Sequence, residues 1–92
     1  MTLAQELAQL FEETAAAHHR AFASTNGDDP AWAEWYAQHL RDRLLHLLGR
    51  PLEVKALAAE LTALDAAHRR EGATAPWPEY YAHRLLRRHG SS

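Results

Sequence analysis

Trp32-Ala33-Glu34-Trp35-Tyr36-Ala37-Gln38-His39-Leu40 decides how this chain is to be read, because it occurs twice. The second copy is Trp77-Pro78-Glu79-Tyr80-Tyr81-Ala82-His83-Arg84-Leu85, at an offset of 45 residues, and the shared pattern is Trp-x-Glu-aromatic-Tyr-Ala-x-x-Leu. A second block precedes each copy. Ala16-Ala17-His18-His19-Arg20 is matched at an offset of 50 by Ala66-Ala67-His68-Arg69-Arg70, and further back Leu7-Ala8 pairs with Leu57-Ala58 and Phe11 with Leu61. Two collinear blocks, with the loop between them five residues shorter the second time, predict one supersecondary unit used twice, with the length change in a loop, where it costs least.

Each unit reads as a helical hairpin. Leu3, Leu7, Leu10, Phe11, Thr14 and His18 recur at spacings of three and four, which predicts one buried face of a helix over about Thr2–Ala23. Ser24-Thr25-Asn26-Gly27-Asp28-Asp29 has loop composition. Asp29 as N-cap and Pro30 at the first helical position predict the start of a second helix, with Trp32, Tyr36, Leu40, Leu44 and Leu47 as its stripe and Gly49 as its stop. A third helix is expected from Pro51 to Gly72, with the stripe Val54, Leu57, Leu61, Leu64 and His68. The fourth is expected from near Thr74, with Pro76 and Pro78 in its first turn, the stripe Trp77, Tyr81 and Leu85, and Gly90-Ser91-Ser92 as a frayed tail. Short loops make successive helices antiparallel neighbours. The expectation is an all-α, four-helix up-and-down bundle in a single domain, 1–92, of two duplicated hairpins (1–48 and 51–89). A symmetric dimer with intercalated hairpins is the alternative.

Composition narrows the function classes. With 92 residues, 47% hydrophobic and 24% charged, the chain has the balance of a globular domain with one modest core. It has no Cys, which removes disulfides, thiolate metal sites and thiol catalysis. The start Met1-Thr2-Leu3-Ala4-Gln5-Glu6 lacks the basic and apolar regions of a signal peptide, and apolar runs are too short for a membrane span, so a cytoplasmic protein without membrane contact is expected. A net charge of −2, with aromatics interleaved among acids, gives no basis for nucleic-acid binding. Seven His allow the charge to rise by several units between about pH 7.5 and 5.5.

The candidate site follows from the hairpins. At each corner the end of one helix meets the start of the next, which brings His18 towards Trp32 and Tyr36, and His68 towards Trp77 and Tyr81, in two pseudo-symmetric places. The structural reading is that the rings supply core area and each His locks a corner, with Glu34 and Glu79 facing water at helix starts. The functional reading is a ligand pocket of aromatic walls with a few polar groups, His/Tyr acid–base chemistry being its special case. No catalytic residue, metal or cofactor is assigned. His39, Asp42 and His46 on one stripe, and the pair Glu79 and His83, have ligand chemistry, but they read as solvated helix flanks, and the His-Glu-x-x-His and di-iron signatures are absent. Arg84, Arg87, Arg88 and His89 complement the dipole at the end of the last helix, an anion site being the alternative.

Asp29-Pro30-Ala31-Trp32-Ala33-Glu34-Trp35-Tyr36-Ala37-Gln38-His39-Leu40, with Ala66-Ala67-His68-Arg69, resembles a pattern of small bacterial helical proteins of uncharacterised function, in which Asp-x-x-Trp-x-x-Trp-Tyr-Ala follows an Ala-His helix end, sometimes twice. The second copy departs from it, with Thr74 for the Asp and Tyr80 for the second Trp. The resemblance implies an all-α bacterial protein and no particular chemistry. The expected function is thus a non-enzymatic binding or interaction domain recognising a protein partner or small apolar ligand at its aromatic corners, with a homodimer expected through a shared face to which Leu45 and Leu48 contribute. The alternative is a small-molecule or metal site, possibly catalytic, using His18 and His68.

Overall fold

A computed structural model describes residues 2–25, 29–72 and 74–89. The four helices are α1 (Leu3–Ala21), α2 (Trp32–Leu48), α3 (Val54–Glu71) and α4 (Trp77–His89), with a 3₁₀ turn at Ala23–Thr25 after α1. The central part of the predicted first loop (26–28) and the predicted tail (90–92) lie outside the described residues.

α1 begins with a reciprocal cap. The Gln5 N–H donates to Thr2 Oγ1 at 3.1 Å and the Thr2 N–H donates to Gln5 Oε1 at 2.8 Å, which satisfies two donors that the first helical turn leaves open. α2 and α3 each end on a glycine in the left-handed region, Gly49 at φ 73° and Gly72 at φ 60°, as expected for a chain that must leave a helix sharply.

Three starts differ from the sequence expectation. α4 begins at Trp77, not near Thr74, and of the two prolines expected in its first turn only Pro78 lies in it, Pro76 preceding the helix with its carbonyl accepting the Tyr80 N–H at 3.0 Å. Asp29 does not directly precede α2: its Oδ1 accepts the Ala31 N–H at 3.0 Å and its carbonyl accepts the Trp32 N–H at 3.1 Å, so it caps a turn at Pro30 and Ala31, and regular helix begins only at Trp32. α3 starts at Val54, not Pro51, because Glu53 is extended (φ −72°, ψ 139°) and Pro51 and Leu52 belong to the connection.

The four helices enclose one core. α1 packs most extensively on α4, and α2 on α3, while the contacts within each hairpin are thinner. Both broad interfaces therefore run between the two hairpins. Leu7 and Phe11 from α1, Leu40 and Leu44 from α2, Leu57 and Leu61 from α3, and Leu85 from α4 are fully or almost fully buried. Phe11 meets Trp77 and Tyr81 edge-on, at 6.1 and 5.6 Å between ring centroids, which joins α1 to α4. Thr14 is also fully buried, and its hydroxyl donates to the Leu10 carbonyl at 2.8 Å, so no polar group is stranded there. Among the described residues, no helix is long and apolar enough to cross a membrane.

Candidate functional site

In an up-and-down bundle the first and third connections lie at the same end. The ends of α1 and α3 and the starts of α2 and α4 therefore meet, and the two predicted corners become one site. His18, Trp32 and Tyr36 from the first hairpin and His68, Trp77 and Tyr81 from the second line a single open pocket of about 540 Å³. Ala15, Asp29, Asp65 and Arg69 complete the lining. The volume lies within the range usual for small-molecule sites, roughly 300–1,000 Å³.

The rings are set at steep angles to one another. Trp32 and Tyr36 lie 5.4 Å apart at 87°, Trp77 and Tyr81 lie 5.1 Å apart at 67°, and Tyr36 meets Trp77 across the two hairpins at 6.5 Å and 61°. The two tyrosines are buried and the two tryptophans half-buried. Burial raises the Tyr36 phenol above its ordinary value of 10.0. Tyr81 is raised further, first by burial and then by the neighbouring Asp65 carboxylate. Both phenols thus stay neutral at physiological pH.

The polar groups are held firmly. His18 is 6% exposed, and its Nε2 lies 3.1 Å from Asp29 Oδ2; facing a carboxylate, that nitrogen is the donor. Asp29 is thereby tied at both oxygens, to His18 and to the Ala31 N–H. His68 has no such acid. Position 74, where the first repeat has its Asp, is Thr, and His68 Nε2–H donates instead to the Ala75 carbonyl at 2.9 Å. Its loss of one acid is matched by a gain elsewhere: Asp65, the repeat partner of Ala15, accepts from the Tyr81 hydroxyl at 3.3 Å and pairs with Arg69 at 3.1 Å. The pocket is therefore two-fold in its rings and histidines and not in its charges.

Trp35 also serves the site, although it falls off the predicted stripe. It packs edge-on against His18 at 5.0 Å and stacks on His39 at 5.1 Å and 9°. Phe22, just past α1, lies 4.7 Å from the His18 ring on another side.

The other candidates are dispersed. His39, Asp42 and His46 are exposed on α2, Glu34 and Glu79 are exposed, and among the described residues no group of three or more His, Asp and Glu is placed to hold a metal ion. The basic end of α4 is met by acids from α3. Arg88 Nε lies 2.9 Å and His89 Nε2 lies 2.7 Å from Glu60, and Arg84 pairs with Glu71 at 3.1 Å while lying over the Tyr80 ring. These residues close the α3–α4 seam and do not present a cradle for an anion.

Comparison of the chain with protein families, with curated proteins and with solved structures finds no match. The chemistry of the pocket therefore carries the functional argument.

Proposed function

We propose that the protein is a small-molecule-binding domain whose recognition site is the pocket between the two hairpin corners. One observation carries this: six aromatic and imidazole side chains, three from each repeat, converge with two carboxylates on one open cavity of about 540 Å³. His18, Tyr36 and Tyr81 are buried, while Trp32 and Trp77 stay half-buried on the pocket wall, where a ligand would meet them. The histidines serve as positioning groups. Each has Nε2 committed within the protein, so neither is left as a free donor for acid–base chemistry at that nitrogen. The repeated sequence fits duplication of one hairpin, which brought two half-sites together. A cytoplasmic, bacterial setting accords with the composition. Self-association has less support, because Leu3 and Leu45 are the exposed large hydrophobics among the described residues, whereas a standard interface covers about 800 Å² per partner.

The test is a protein-detected NMR screen with mixtures of small cationic, neutral and anionic fragments, followed at the indole N–H signals of Trp32 and Trp77. Saturable shifts at both indoles with at least one fragment class are expected. A screen in which no class moves them, or in which shifts gather elsewhere, for instance around Leu45, overturns the proposal.

A further inference from the structure

The pocket's chemistry also selects among ligands. Taking the pocket as the binding site proposed above, we infer that its ligand is an organic cation carrying a quaternary ammonium head, seated against Trp32, Tyr36, Trp77 and Tyr81 and drawn in by Asp29 and Asp65. Rings set at 61–87° to their neighbours offer a corner of aromatic walls and not a flat slot for a stacked ligand. The face of an aromatic ring carries negative potential, and such walls hold cations that have little hydration to lose. A primary ammonium needs several hydrogen-bond acceptors, while a fully alkylated head needs none. That suits a wall of rings on which the Tyr81 hydroxyl is already turned to Asp65.

The fixed charges point the same way. Asp29 and Asp65 both reach the cavity, with side chains 10% and 31% exposed. The opposing guanidinium, Arg69, has a side chain 78% exposed and sits against Asp65 at the rim. The imidazoles offer an anionic ligand no Nε2–H: that of His18 is spent on Asp29, and that of His68 on the Ala75 carbonyl. It would also face two carboxylates.

The test compares three probes of nearly one shape: choline, its neutral counterpart 3,3-dimethylbutanol and the anion 3,3-dimethylbutanoate, each titrated against the intact protein and read at the Trp32 and Trp77 indole signals. Choline is expected to bind roughly tenfold or more tightly than the alcohol, and the anion more weakly than either. Asp65→Asn, at a half-exposed position, is expected to weaken choline severalfold more than it weakens the alcohol. Arg69→Gln is expected to tighten choline, a gain that damage to the fold does not produce. Equal binding of choline and the alcohol, or indifference of choline to both variants, overturns the inference. If none of the three moves the indoles while other fragments do, the cation assignment fails and the pocket stands. If no fragment of any class moves them, both fail together.

Discussion

Tyr36, Tyr80 and Tyr81 are all the tyrosines of the chain, and the phenol of each is raised above 10.0, chiefly by burial. For an acid whose pKa is higher in the folded state, the stability contributed is fully present below the unfolded value of about 10 and is lost as pH rises beyond it, because the unfolded chain releases protons that the folded chain keeps. The melting temperature should therefore fall once pH passes about 10. The phenolate absorbance should appear together with loss of helical circular dichroism, not ahead of it, and Tyr81→Phe should make the fall shallower. A phenolate signal that grows while the helical spectrum stays native would show that the rings are open to solvent. The six pocket residues could be read from sequence because the repeat aligns them and a hairpin brings its corner together. Asp65 was missed because its repeat partner is Ala15, so matching the copies hid it; its place three residues before His68, on the same helical face, was the available signal. Asp29 was recognised only as a cap, and its second oxygen turned out to orient His18. Trp35 fell outside an idealised stripe, yet a ring that large reaches His18 from the stripe's edge.

Helix ends show where local sequence suffices and where it does not. Gly49 and Gly72 were legible as stops because a residue at positive φ is nearly always glycine, and both adopt it. A Cβ added at either position would meet nothing within 4 Å. The cost of alanine there is therefore conformational, about 1 kcal/mol for a side chain held in the left-handed region. Gly49→Ala is expected to lower the melting temperature by roughly 4–8 °C, the usual change for that energy in a domain this small. Gly49→Asn should cost less, because asparagine tolerates that region. Equal stability of the alanine variant would mean that the chain leaves α2 by another route. Helix starts were less legible. Asp29 and Pro30 signal a start, but the carboxylate already serves Ala31 N–H and His18, and a turn intervenes before Trp32. Pro51 is permitted in a first turn without requiring one, and the extended Glu53 delays α3 to Val54.

At the scale of the molecule, the four-helix bundle followed from the repeat and the periodicities, but the single pocket did not, because the way one hairpin packs on the other is not written in the local pattern of either corner. The packing makes the hairpins interdependent. The broad interfaces, α1 with α4 and α2 with α3, both run between hairpins, and the contacts within a hairpin are the thinner ones. Cutting the chain between Gly49 and Arg50 would separate Leu40 and Leu44 from Leu57 and Leu61 of the same buried core, and would part Phe11 from Trp77 and Tyr81. Helices of 13–19 residues have little stability in water without a packed face. Peptides 1–49 and 50–92 should therefore each show weak helical circular dichroism alone. Mixed in equal amounts they should regain helix, with a blue shift in the fluorescence of Trp77, the one tryptophan of the second peptide. The pocket should return with the mixture and be absent from either half, since its walls need Tyr36 from one and Trp77 from the other. A second peptide that is fully helical by itself would show a hairpin that folds without its counterpart. The bundle would then be a docking of finished units, whereas the burial of both broad faces between the hairpins requires that they fold as one.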